Sequence, residues 1–142
     1  MVKKRILKGE FDKAFDLIIE NSLDFETVKG ILLEIAFETE SLLVLTFTNY
    51  LLQKCGDARI HLLIAELLVT AFSHFEGAYP SAFYHIKQAD LNMKGDVSVK
   101  EFLLLFHEIP DKLISEEEAK KIAIDVLKEK PDSIPALRIL GE

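Results

Sequence analysis

Tryptophan is absent from this chain, and cysteine occurs once, at Cys55. A single thiol excludes an internal disulfide and fits a reducing compartment. Gly 6 and Pro 4 in 142 residues are too few for a turn-rich, strand-based fold. Long apolar runs are also missing. The longest, Ile60 to Phe72, contains His61 and Glu66 and is too short to cross a bilayer. No charged, apolar leader with a small-residue cleavage site opens the sequence, so a cytoplasmic protein without a membrane partner is expected. Clustered cations are confined to Lys3, Lys4, Arg5 and Lys8, which read as a solubilising flank. Elsewhere acids dominate, giving a net charge of −7. That balance disfavours DNA or RNA as a partner, because phosphate binding needs clustered Lys and Arg.

Catalytic signatures are missing in the same way. The histidines are His61, His74, His85 and His107, no two of them at i, i+4, and no HExxH occurs. There is no GxSxG, no phosphate-cradling glycine loop and no dinucleotide fingerprint. Cys55 falls at a helix C-terminus, where the negative end of the helix dipole disfavours a thiolate nucleophile. The chain is therefore not expected to be an enzyme, and no cofactor or resident metal is expected.

What is present is helix. Hydrophobic residues are 49% and charged residues 29%, a globular balance. Apolar residues recur at helical spacing, first at Phe11, Ala14, Phe15 and Ile18. A second helix is expected to open near Asp24 and run through Val28, Ile31, Leu32 and Ile35. "SLLVLTFTNYLLQKCGD" has only Thr46, Asn49 and Gln53 as a polar stripe, so this third helix should be buried on most sides, with Gly56 ending it. Asp57 should cap a fourth, "ARIHLLIAELLVTAFSHF", stopped by Gly77. Pro80 suits the first turn of a fifth. Ser98/Glu101 and Ser115/Glu118 have capping-box spacing for the next two, and Asp132 or Ser133 with Pro135 opens the last. The sum is about eight helices, an all-α fold, with the third and fourth as the central pair. No linker or low-complexity tract interrupts it, so residues 1–142 are expected to form one helical domain.

Two local stretches resemble known motifs. Asp90 to Glu101, "DLNMKGDVSVKE", resembles an EF-hand calcium loop, with Asp90, Asn92, Asp96, Ser98 and Glu101 at ligand positions and Gly95 at the sharp turn. Lys94, however, puts a cation where an oxygen is required, and Ala89 replaces the aromatic that normally precedes the loop. A plain helix–turn–helix is the better expectation. "EEAKKIAIDVLKEKPDSIPALRIL" resembles the second helix of a tetratricopeptide repeat followed by the start of the next. Ala119, Ala123, Leu127, Pro131, Ala136 and Leu137 carry that resemblance. "GEFDKAFDLIIE" and "YPSAFYHIKQA" look similar. The intervals hold no regular repeat and the aromatic landmarks are missing, which implies an irregular stack of α-α hairpins.

The remaining signal is charge. Asp12, Asp16 and Glu20 form an i, i+4, i+8 stripe, and Glu34 and Glu38 repeat it with Glu40 just beyond. Like charges at i, i+4 cost a helix about 0.2–0.5 kcal/mol per pair, a cost that a basic partner offsets.

"GDARIHLLIAELLVTAFSHFEGAYPSAFYHIKQA", "KEFLLLFHEIPDKLISEEEAKKIA" and "VLKEKPDSIPALRIL", together covering residues 56–140, resemble an all-helical immunity protein of bacterial contact-dependent or wall-associated toxin systems. Phe102–Ile109 and Ala136–Leu140 are the most similar phrases. The resemblance implies a protein that binds one cognate toxin domain and covers its active site or substrate groove. Such toxins are often nucleases and therefore basic, which an acidic inhibitor would match. Partner contacts are then expected at Asp12, Asp16, Glu20, Glu34, Glu38 and Glu40, with Tyr79 and Tyr84 as aromatic anchors. The alternative expectation is a helical-repeat adaptor whose groove holds a peptide or helix of another protein.

Overall fold

The computed structural model describes residues 1–141. They form nine helices and no strand: α1 (Val2–Leu7), α2 (Phe11–Glu20), α3 (Phe25–Thr39), α4 (Leu42–Cys55), α5 (Ala58–Val69), α6 (Ala78–Asn92), α7 (Val97–Glu108), α8 (Glu116–Glu129) and α9 (Ile134–Ile139). The all-α expectation is met. The chain groups into two compact units, Met1–Ala78 and Tyr79–Glu142, divided within the first turn of α6, where the composition shows no break.

In the first unit α4 is the hub, packing against α1, α2, α3 and α5. Val44, Phe47, Thr48 and Leu51 are its buried residues, and Thr46, Asn49 and Gln53 stay exposed as the narrow polar stripe requires. The buried Thr48 hydroxyl donates to the Val44 carbonyl at 2.7 Å, so no polar group is stranded there. Ser41 caps the start of α4, and Gly56 ends it in the left-handed conformation, φ 63°. Asp24 and Asp57 cap α3 and α5 by accepting from Thr27 N and Arg59 N.

Three local expectations are corrected. The basic flank is a helix, α1, whose Ile6 is fully buried. Its single turn and a half would be marginal alone. Gly9, at φ 75°, closes it: Gly9 N donates to Ile6 O and Glu10 N to Arg5 O, both at 2.9 Å, a paired C-terminal capping arrangement. The fourth expected helix, α5, ends at Val69 rather than at Phe75. The Thr70 hydroxyl donates to the Glu66 carbonyl at 2.6 Å, and Phe72 N reaches back to Leu67 O, which turns the chain so that Ala71 and Phe72 are buried. At α7 the cap is Asp96, accepting from Ser98 N and Val99 N, so the expected Ser98 capping box does not form.

In the second unit α7, α8 and α9 pack against one another. Ala119, Ala123 and Ala136 are all fully buried with Leu104 and Val126, so small side chains permit close helix approach there. Ser133, 1% exposed, caps α9 and donates to Glu101 Oε2 at 2.6 Å, while Lys130 reaches Glu101 Oε1 at 3.3 Å. Glu101 thus ties α7 to the start of α9 instead of completing an ion site. Ser115 caps α8, accepting from Glu118 N.

Gly30 lies inside α3 and is exposed, with open space where a Cβ would stand. Gly30→Ala is expected to raise unfolding free energy by about 0.5–1 kcal/mol, since alanine removes backbone entropy at no steric cost. Urea denaturation checks it, and an unchanged or lower midpoint contradicts the helical placement of this residue.

Candidate protein-interaction site

The acidic stripes lie on α2 and α3 of the first unit. Asp12, Asp16, Glu20, Glu34, Glu38 and Glu40 are all exposed. This follows from the α4 hub: each of these helices turns its apolar residues inward, Ala14 and Ile18 on α2 and Leu32, Ile35 and Ala36 on α3, leaving the acids outward. The basic helix α1 sits among them. Lys3 Nζ pairs with Glu38 at 2.6 Å, and Arg5 pairs with Glu10 at 3.0 Å. Lys13, on α2, also meets Glu10 at 3.0 Å. Arg5 and Lys13 line a shallow cleft together with Asp16 and Glu20, and Lys3 lines another with Glu34. The expected solubilising flank is therefore counter-charge to part of the acidic surface. The Lys3 ammonium holds the Glu38 carboxyl below its ordinary range by hydrogen bonding and by charge.

Asp12 is held from the other side. The Tyr50 hydroxyl donates a short hydrogen bond to Asp12 Oδ1. The Tyr50 ring stacks on Phe47 at 5.7 Å and meets Phe11 at 5.7 Å and Phe15 at 6.1 Å. Lys54 Nζ lies 5.4 Å from the Tyr50 ring centroid. An aromatic cluster on the core thus fixes the position of one surface carboxylate.

Glu40 is the most constrained of the six. It ends α3 in the left-handed conformation, φ 50°, and its carboxylate meets His74 Nε2 at 2.9 Å. A non-glycine residue in this region is uncommon and strained. Beside it stand two large apolar residues that the charge pattern did not single out, Phe37 at 61% and Leu42 at 58% exposure. Phe37 follows Ile35 by two residues, which places it off the buried face of α3, so the helical spacing itself carried the signal. The α3–α4 corner therefore presents Phe37, Glu38, Glu40 and Leu42 to solvent in one short stretch.

The two expected aromatic anchors belong to the second unit. Tyr84 is 59% exposed on α6 and makes an edge contact with the His85 ring, whereas Tyr79 is half-buried. The other candidate chemistries do not converge. Asp90 and Asn92 belong to α6 and Asp96 caps α7, leaving a connection too short for a calcium loop. Among the described residues no three of His, Cys, Asp and Glu form a group that could hold a metal ion. His107 Nδ1 lies 3.3 Å from the Ile114 carbonyl, and Cys55 is an exposed thiol. Among the described residues no helix is long and apolar enough to cross a membrane. No family model matches the chain, nor does any curated protein or solved structure.

The hydrogen bond to Asp12, partial burial, and the Asp12 and Asp16 charges push the Tyr50 phenol up to about 12. The neutral phenol is the form favoured by folding, so this contribution is complete below pH 10 and is lost as pH rises through about 12. Phenolate absorbance should show a step near pH 12 that disappears in Tyr50→Phe and moves towards pH 10 in Asp12→Asn. A Tyr50 step at its ordinary position in the folded wild-type protein contradicts the Asp12 hydrogen bond.

Proposed function

We propose that this protein is an immunity protein that binds and neutralises a cognate toxin domain, a basic nuclease, by covering its active site or substrate groove. The observation that carries the reading is the α3–α4 corner. Phe37 and Leu42 are exposed apolar residues flanked by exposed Glu38 and Glu40, and Glu40 occupies a strained backbone position that glycine would fill with less strain. Exposed apolar side chains among charges are the makings of an interface: the apolar groups supply binding energy and the acids steer a basic partner into register.

The acids of α2 extend the same electrostatic surface. Asp12 is fixed by Tyr50, so it meets a partner cation without losing side-chain freedom at that moment. Lys3 already neutralises Glu38, so at the corner Glu40 is the acid that steers a partner, with Phe37 and Leu42 supplying the apolar contact. The inhibitor itself performs no chemistry in this reading; it excludes nucleic acid from the toxin by occupying the same charged groove.

Affinity capture of the tagged protein from its host tests the proposal. The expected result is one stoichiometric, basic polypeptide whose nuclease activity falls when this protein is added. Several sub-stoichiometric partners, or a short peptide ligand, contradict it and favour a helical adaptor. With the partner in hand, Glu40→Gly separates stability from function. It should raise stability by about 0.5 kcal/mol, net of losing the exposed contact with His74, while weakening partner binding by about tenfold. Association should slow by about tenfold or more between about 0.05 M and about 0.5 M salt. A Glu40→Gly protein that binds as well as wild type removes the corner from the interface.

A further inference from the structure

The first unit contains an apolar cavity of about 200 Å³ that none of the six stripe acids lines. Its wall comes from five separate stretches: α2 with Phe15 and Ile18, the α2–α3 turn with Leu23, α3 with Val28, α4 with Leu51, and α5 with Leu63. The turn sets its shape. Ser22 takes a left-handed conformation, φ 51°, while Leu23 N donates to Ile18 O and Ser22 N to Ile19 O. That capping geometry delivers Leu23 to the cavity wall, as the residue after a left-handed cap commonly packs back on its helix. The cavity reaches solvent, because Ile19, Cys55 and Arg59, which also line it, are exposed.

Size and lining define what fits. An apolar cavity of about 150 Å³ holds one benzene ring and stays dry without it. A space of about 200 Å³ therefore suits one aromatic ring or one branched aliphatic group. Charge at the mouth defines what should accompany it. Asp57 binds the Arg59 guanidinium, 2.7 Å to Nη2, and that guanidinium lies 4.3 Å from the Phe25 ring centroid. Arg59 is thus neutralised in place. Asp24, the other acid at the mouth, accepts from Thr27 N at 2.8 Å and adds a second negative charge. The rim is net negative around an apolar floor.

We propose that this cavity is a docking pocket for a single aromatic or branched aliphatic side chain that a basic polypeptide segment carries between cationic neighbours. The inference goes beyond the corner, because Phe25 and Val28 lie at the opposite end of α3 from Phe37, and Leu51 and Cys55 at the opposite end of α4 from Leu42; it rests on the partner-binding reading only for the basic character of the segment. The apolar side chain displaces solvent from the cavity and buries against Ile18, Leu51 and Leu63. Its flanking lysine or arginine meets Asp24 at the rim, where charge-assisted contact adds orientation.

Short peptides test the pocket without any cognate partner, so pocket and partner reading can fail separately. The probes are acetyl-Lys-Phe-Lys-amide, the Lys-Ala-Lys peptide and the Glu-Phe-Glu peptide, titrated into the full chain with methyl NMR detection. The Lys-Phe-Lys peptide should give saturable shifts confined to the methyl groups that line the cavity, those of Leu23, Val28, Leu51 and Leu63 among them. The Lys-Ala-Lys peptide should bind about tenfold more weakly and the Glu-Phe-Glu peptide about fivefold more weakly. Cys55, the chain's one thiol and part of the cavity lining, supplies a second readout. Its reaction with an aromatic disulfide reagent should slow as the Lys-Phe-Lys peptide saturates. Val28→Phe, which fills the cavity, should abolish both effects while leaving the helical circular dichroism unchanged. Absence of methyl shifts, or equal binding of the alanine peptide, overturns the pocket. Equal binding of the glutamate peptide overturns the basic character of its occupant. If Val28→Phe does not fold, Cys55 protection in the wild-type chain decides alone.

Discussion

Packing of α4 against four other helices is the constraint on which the first unit depends. A helix with Phe47, Val44 and Thr48 at zero exposure has to be surrounded, and α1, α2, α3 and α5 do the surrounding. Removing the Phe47 ring would cost about 3–5 kcal/mol, a large share of a small domain's stability. Once α2 and α3 face α4 with their apolar residues, their acids have only the outside to occupy. The charged surface is thus a by-product of core packing before it is anything else. What packing does not explain is the corner. Phe37 and Leu42 gain nothing from exposure, and Glu40 accepts backbone strain there.

Electrostatics within the unit qualifies the acidic reading. The net charge of −7 is not spread over a bare surface. Lys3 on α1 pairs with Glu38 of the stripes, while Arg5 on α1 and Lys13 on α2 pair with Glu10 beside them. Exposed ion pairs of this kind are worth little to folding, so their larger effect is on which acids remain available to a partner. Tyr50 acts in the opposite sense. It fixes Asp12 without neutralising it, because a phenol donates a hydrogen bond and carries no charge. In the second unit the same economy appears at Glu101, whose two oxygens are occupied by Lys130 and Ser133 and so are not free for a cation.

Much of this was legible in the sequence, and the failures have physical causes. The long helices, the Asp57 cap and the Gly56 terminator follow from periodicity and cap chemistry, as does the start of α3 near Asp24, while spacing left Asp132 and Ser133 as alternatives for the start of α9, of which Ser133 is the cap. Helix α1 did not, because so short a helix has almost no period to detect and is held by Ile6 burial and the Gly9 turn. The early end of α5 was hidden because Ala71 and Phe72 continue the apolar pattern while the Thr70 hydroxyl bends the backbone away. At α7, Asp96 and Ser98 are both good caps, and spacing alone does not choose between them. Of the candidate site, the six acids were readable as a pattern and are all exposed. Their internal partners were not readable, since Tyr50 lies 38 residues from Asp12 and Lys3 lies 35 from Glu38. The apolar cavity is assembled from five stretches that share no local motif.

A basic protein partner is proposed to dock on the α3–α4 corner of the first unit. Hydrogen exchange of the chain, free and in complex with the captured partner, tests it most directly. The account predicts new amide protection across residues 37–43, extending onto the acid-bearing face of α2. Protection confined to residues 79–141, with the corner exchanging as in the free protein, would contradict it.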